Sequence, residues 1–238
     1  METVLITGAS QGIGRAIAER LSDDGFAIVN FDLAPTAETL PGERFVRVDL
    51  ADPDDTARAL RVVIGEASIT RLVNNVGTVR PATLADTKPE DLAATISLNV
   101  RCAMQCAQAL LPAMQSSGFG RIVSIASRAA IGLRERTAYA AAKAGLIGMT
   151  KVWAIELASH GITANAVAPT GVATALWEKL NPPGSAKREA YLSKLPMQRL
   201  ATSADVAHAV AFFLDERSSY ITGQVLYVCG GQTIGQPV

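Results

Sequence analysis

The stretch TGASQGIG at residues 7–14 places three glycines within seven positions, directly behind the apolar run 4–6. An apolar run followed at once by glycines and then by helix formers reads as a strand turning sharply into a helix. The amino end of a helix offers unpaired N–H groups and the positive end of the peptide dipoles, so it holds an anion when no Cβ blocks the approach. On that reading Gly8 makes the turn, Gly12 admits a phosphate and Gly14 lets the helix pack tightly on the strand. The spacing is G-x-x-x-G-x-G rather than the commoner dinucleotide spacing G-x-G-x-x-G, and glycines in such a turn also serve purely conformational ends. The next apolar run, 27–31, ends at Asp32, roughly 20 residues on, where a carboxylate accepts hydrogen bonds from both hydroxyls of an adenosine ribose. A solvated turn aspartate is the other reading of Asp32, and the two features together favour a dinucleotide.

The same alternation continues along the chain. Short apolar runs at 4–6, 27–31, 45–48, 72–74, 121–125, 163–167 and 225–228 read as strands buried on both faces. Helix formers at helical spacing fill 14–21, 54–64, 89–114, 139–159 and 204–214. Strands alternating with helices predict a doubly wound α/β fold, a seven-stranded parallel sheet with helices on both faces. Between Asp32 and Phe45, Pro35 and Pro41 leave that crossover room for little or no helix. Residues 175–196, where Asn181, Pro182, Pro183 and Gly184 interrupt helical sequence, read as an insertion able to act as a lid. A length of 238 residues suits one domain over the whole chain, 1–238.

Charge narrows the function classes. Twenty-two basic residues balance twenty-two acidic ones, so no long-range field gathers nucleic acid or anionic lipid. No run of about 18 apolar residues suggests a membrane span, and the start lacks a basic region ahead of an apolar stretch; a cytoplasmic protein is the expectation. Cys102, Cys106 and Cys229 read as packing residues rather than metal ligands or disulfide partners.

A second cluster carries chemistry. In Tyr139-Ala-Ala-Ala-Lys143 a phenol and an ammonium stand at i and i+4, on one face of a helix. An ammonium near a phenol favours phenolate and lowers its pKa, which makes tyrosine a usable acid and base. A surface Tyr-Lys pair is the alternative. Upstream, Ser127 falls just past a strand end, where parallel sheets of this kind bind ligands, and its hydroxyl is placed to hold a substrate oxygen.

TGASQGIG, NNVG at 74–77, Asn99, Ser127 and YAAAK at 139–143, in that order, resemble the short-chain dehydrogenase/reductases, from Thr3 to about Gly231. The resemblance implies a catalytic tetrad. In it Tyr139 exchanges the proton, Ser127 polarises the carbonyl, Lys143 binds the nicotinamide ribose and lowers the tyrosine pKa, and Asn99 holds a water that relays protons to Lys143. It also implies cofactor contacts from Gly8, Ser10, Gln11 and Ile13 around the phosphates and Asp49 and Leu50 beside adenine. Asn75 and Gly77 would follow the adenosine half, and Pro169, Val172 and Thr174 would grip the carboxamide. This chain departs from the family in Val76 for the commoner alanine, in Thr170 for glycine with Gly171 one place later, and in Cys229 for aspartate.

The expectation is therefore an oxidoreductase that interconverts a secondary alcohol and a ketone with NAD, without metal. Asp32 and the neutral Gln11 are the grounds for NAD over NADP. Substrate is open among oxoacyl, cyclic and polyol compounds. The connection FDLAPTAETLPGERF resembles dihydrodiol dehydrogenases, whereas AYAAAKAGLIGMTK resembles oxoacyl reductases. A dinucleotide-sensing protein without turnover is the competing class. Arg80, Arg128, Arg134 and Arg136 read either as a border that receives an anionic substrate or as surface residues paired with acids such as Glu135. In the family, the helices read at 89–114 and 139–159 pair across two-fold axes, which implies a homotetramer.

Overall fold

Apolar runs form seven parallel strands, and the central ones lie buried on both faces beneath helices. The computed structural model describes residues 2–234. The strands are β1 (Thr3–Thr7), β2 (Ala27–Asp32), β3 (Glu43–Arg47), β4 (Arg71–Asn74), β5 (Gly120–Ile125), β6 (Ile162–Pro169) and β7 (Val225–Val228). They lie in the order β3-β2-β1-β4-β5-β6-β7, and every neighbouring pair is parallel. The order reverses between β1 and β4, so the crevice outside their carboxyl ends is the place where such a sheet takes a ligand.

The main helices are α1 (Gly12–Asp23), α2 (Pro53–Ile64), α3 (Pro89–Ile96), α4 (Cys102–Ser117), α5 (Thr137–Leu157) and α8 (Ser203–Leu214), with α6 (Ala175–Leu180) and α7 (Ala186–Leu192) in the 175–196 insertion. Pleating divides the apolar residues of β1 between two cores. Val4 and Ile6 join Ile17 and Leu21 of α1 and Val206, Val210 and Phe213 of α8. Leu5 joins Leu60 of α2, Cys106 and Leu110 of α4, and Ala154 of α5. No helix occurs between β2 and β3, as the two prolines predict.

The stretch 89–114 is not one helix, contrary to the sequence reading. α3 runs into a π-turn, Ser97–Arg101, before α4 begins. The carbonyl of Thr95, which a regular helix would pair with the backbone N–H four residues on, accepts the side-chain Nδ2 of Asn99 at 2.9 Å. The side chain competes with its own backbone, and the turn widens there.

At the opposite end of the sheet, Arg71 and Arg121 sit side by side on β4 and β5. Their Nε atoms donate to Leu214 O at 3.2 Å and Asp215 O at 3.4 Å, placing cations on the last carbonyls of α8. A cavity of about 680 Å³ there is lined by Glu2, Arg71, His208 and Arg217 and by none of the predicted site residues.

Candidate active site

The glycine turn is built as the residue pattern predicts. Gly8 has φ +72°, a conformation that suits glycine, and a Cβ on Gly14 would lie 1.9 Å from Gly8 O. Around Gly12 (φ +59°) the only atom of the described residues within 4 Å of a Cβ would be Thr174 Cγ2, at 3.8 Å, so the approach to the helix start is open. Gln11 stands as N-cap of α1 without a side-chain cap bond, which leaves the first N–H groups of α1 without that cap. Ser10, Gln11, Gly12, Ile13 and Gly14 thus lie at an open, uncapped helix start, and Ile13 packs against the core beneath it.

The polar groups behind this turn were only partly legible in the sequence. Asn75 Nδ2 donates to Thr7 O at 3.0 Å and to Gly8 O at 2.9 Å, so its amide holds the turn closed. Thr7 Oγ1 accepts the N–H groups of Asn75 and Val76. Asn30, a buried polar residue inside an apolar strand, accepts from Ala9 N and donates to Ser10 Oγ and to Glu43 Oε1. Asp32 ends β2 with Oδ2 accepting from Ser10 N at 3.0 Å and Oδ1 from Leu33 N at 2.7 Å. Leu50 is core, and Asp49 is exposed at the end of the β3 connection.

Three elements bring the tetrad together. Ser127 follows β5 and caps a short 3-10 turn, its Oγ accepting from Ala129 N at 3.1 Å. Tyr139 and Lys143 lie in the first turns of α5, with Lys143 Nζ 5.5 Å from the centre of the tyrosine ring. Lys143 is buried, and Nζ donates to Ile125 O at 2.7 Å. The π-turn delivers Asn99, whose Nδ2 also donates to Thr78 O at 3.1 Å. Its Oδ1 is buried with no hydrogen-bond partner among the described residues. Gly77 completes the group: a Cβ there would lie 2.4 Å from Asn99 Oδ1 and 3.3 Å from Lys143 Nζ. Asn99 Oδ1 and Lys143 Nζ thus lie beside the same backbone position, and the unpaired amide oxygen is able to accept a hydrogen bond.

The electrostatics differ from the sequence expectation in one respect. Burial pushes the Tyr139 phenol up from its ordinary value, and the lowering by its hydrogen bond to Ser127 and by Arg136 does not offset this. Lys143 is not among the groups that move it. The lysine is itself pulled down to about 8 by burial, so it stays mostly charged at neutral pH and loses its charge just above it.

On the far side of the crevice, Pro169 ends β6, Val172 forms a bridge with Ala201, and Thr174 caps α6 with Oγ1 accepting from Trp177 N. Of the four arginines, Arg80 is paired with Asp91 at 2.6 Å and Arg136 donates to Glu135 O. Arg134 is exposed, and Arg128 has a buried Nε with no partner among the described residues. Cys102, Cys106 and Cys229 are buried free thiols, and Cys229 Sγ lies 3.2 Å from Thr233 Oγ1. Among the described residues there is no group of three potential metal ligands, and no helix is long and apolar enough to cross a membrane.

A family model described as enoyl-(acyl carrier protein) reductase matches residues 8–233. The chain is 39% identical to a 3-oxoacyl-[acyl-carrier-protein] reductase of Thermotoga maritima, over 97% of each chain. It is 35% identical to a subunit of the (2S)-[(R)-hydroxy(phenyl)methyl]succinyl-CoA dehydrogenase of Thauera aromatica, over 97% of this chain and 96% of that one. Among solved structures, an aldohexose dehydrogenase of Thermoplasma acidophilum superposes with TM-score 0.92 at 32% identity, covering 100% of this chain and 96% of the other. A gluconate 5-dehydrogenase from Beutenbergia cavernae, described with bound NADP at low occupancy, gives TM-score 0.90 at 30% identity, with 98% and 97% covered.

Proposed function

The chain belongs to the short-chain dehydrogenase/reductase family of oxidoreductases, and we propose that it interconverts a secondary alcohol and a ketone with NAD, using Tyr139 as acid and base. The observation that carries this reading is the convergence of Ser127, Tyr139, Lys143 and the unpaired Oδ1 of Asn99 beside Gly77. Nothing in a scaffold or a passive nucleotide sensor calls for that set.

The glycine turn at 8–14, Asp32 and the segment 169–174 are the residues that would hold a nicotinamide dinucleotide, and the open approach at Gly12 fits its phosphates. When bound, the dinucleotide gives or takes the hydride. This chain supplies placement and a proton. In reduction the Tyr139 phenol gives its proton to the carbonyl oxygen while the Ser127 hydroxyl donates to that same oxygen. In oxidation Tyr139 takes the alcohol proton. Lys143 and a water on Asn99 Oδ1 refill or drain the phenol, and a lysine pKa of about 8 suits passage of a proton in either direction.

Names of similar proteins include a 3-oxoacyl-[acyl-carrier-protein] reductase, a subunit of a [hydroxy(phenyl)methyl]succinyl-CoA dehydrogenase and sugar dehydrogenases. Oxoacyl thioesters therefore rank first, with polyols and cyclic ketones behind them. The experiment is a cofactor absorbance screen with an oxoacyl thioester, a cyclic ketone, a polyol and a cyclohexadiene diol. Turnover with none of these, despite dinucleotide binding, would favour the sensor.

Assembly as a homotetramer completes the proposal. Large apolar side chains are exposed at Met104 on α4, Val152 and Ile155 on α5, Phe212 on α8, Tyr220, and Leu226 on β7, with Ile155 82% exposed. Isologous interfaces of two kinds, each covering part of this surface, would close a four-subunit assembly. Sedimentation at micromolar concentration is expected to give four chains, and a monomer would remove the idea.

A further inference from the structure

The 175–196 insertion is tied to the rest of the protein through one tyrosine. Gly171 N donates to Tyr191 Oη at 2.9 Å, and the same oxygen lies 3.0 Å from Thr170 Oγ1. Thr170 Oγ1 in turn donates to Gln232 Oε1. A hydroxyl has one proton. Since the threonine proton goes to Gln232, the tyrosine proton is the one that joins Tyr191 to Thr170, and the chain runs Gly171 to Tyr191 to Thr170 to Gln232. A Cβ on residue 171 would stand 2.6 Å from Tyr191 Oη, so glycine at this place is what admits the tyrosine.

The ring of Tyr191 packs on Trp177 with centres 5.8 Å apart, and the Arg188 guanidinium lies 5.2 Å from the centre of the Trp177 ring, which joins α6 to α7. Trp177 N donates to Thr174 Oγ1 at 3.3 Å. The segment 169–174 is therefore held by the insertion at two points, near its start through Tyr191 and at its end through Thr174. The order Thr170-Gly171, which departs from the family pattern, has a physical reason: the threonine supplies a hydroxyl and the displaced glycine supplies the space.

We propose that Tyr191 is a positioning residue that latches the 175–196 insertion onto the segment 169–174 and thereby sets dinucleotide affinity. The inference rests on the reading above that this segment faces the nicotinamide end. With the latch in place the segment is ordered before the dinucleotide arrives; without it, ordering must be met at binding. The groups that move the proton sit just after β5, on the π-turn and on α5 and are not part of the latch.

Tyr191→Phe keeps the ring on Trp177 and deletes one oxygen. The expected result is a rise of about fivefold or more in dinucleotide KM and Kd, with kcat falling by less than about threefold. Thr170→Val is expected to shift KM in the same direction, and the double variant to exceed the worse single by no more than about twofold, because both cut one chain. A role limited to keeping the insertion folded would lower the melting temperature and leave KM in place, which overturns the proposal. Hydrogen exchange at the Gly171 amide, followed without dinucleotide, separates the latch from the functional reading. Exchange at least about tenfold faster in Tyr191→Phe is expected. Unchanged exchange sinks the latch whatever the enzyme binds, whereas faster exchange in a protein that binds no dinucleotide refutes only the functional reading and the affinity that depends on it.

Discussion

Tyr139→Phe is expected to lower kcat at least about a hundredfold while the dinucleotide still binds, since a positioned proton-transfer group contributes about 10²–10⁴-fold. The substitution removes one oxygen and keeps the ring, so the packing at the head of α5 is retained. Direction of reaction should separate in pH. Burial holds the phenol above its ordinary value, so the protonated form needed for reduction is plentiful at neutral pH and the phenolate needed for oxidation is scarce. Oxidation is therefore expected to accelerate as pH rises, and reduction to slow. Residual oxidation by Tyr139→Phe should lose most of that dependence. Near-normal kcat in the variant on any good substrate would show that the proton travels by another group.

The tyrosine also marks where sequence stopped being a guide. Period and spacing suffice to place Tyr139 and Lys143 on one helical face, and the structure has them there. They say nothing about depth, and depth decides the sign of the tyrosine shift: burial acts on a phenol whatever stands four residues away. Asn99 is the converse case. Its position in the order of motifs was readable, but the apolar pattern of 89–114 is continuous, and the π-turn that aims the amide arises from a side chain taking its own helix's carbonyl. No periodicity records that competition. The central strands were legible because strands covered on both faces are written as plain apolar runs. The structural role of Asn75, and Tyr191 altogether, escape sequence reasoning for a common reason: their hydrogen bonds go to backbone atoms of distant segments, at Thr7, Gly8 and Gly171. Arg80 shows a limit of another kind. Of the two readings open for it, the surface ion pair is the one realised, and the acid is Asp91 on α3, eleven residues on, a partner that spacing does not single out.

NADH is expected to exceed NADPH by about a hundredfold or more in kcat/KM, and the reason is the charge at the end of β2. The 2′-phosphate of NADP brings close to two negative charges, which a base must neutralise. Here the nearest group is the Asp32 carboxylate. Its two oxygens accept one backbone N–H each, from Ser10 and Leu33, and an ionised carboxylate keeps further lone pairs for the ribose hydroxyls. Arg47 on β3, the register partner of Asp32, is one cation at this end of the sheet; Arg15 on α1 is another, and it is already engaged. Its Nε meets Glu19 at 3.1 Å, one terminal nitrogen meets the buried Glu43 at 2.8 Å, and the other donates to Glu38 O. Two like charges at about 4 Å, with an effective dielectric near 20, repel by about 4 kcal/mol before salt screening. A hundredfold preference requires about 2.7 kcal/mol, so the effect survives a loss of roughly a third to screening. The gluconate 5-dehydrogenase of similar fold is described with NADP bound at low occupancy, so the NAD preference expected here rests on the side chains at the ribose and not on the likeness. Asp32→Ala combined with Leu33→Arg should narrow the preference or reverse it, because it removes the repulsion and adds a base at an exposed site. Comparable kcat/KM for the wild-type protein with NADH and NADPH would mean that the carboxylate turns away from the ribose, and that the field at Asp32 does not choose the cofactor.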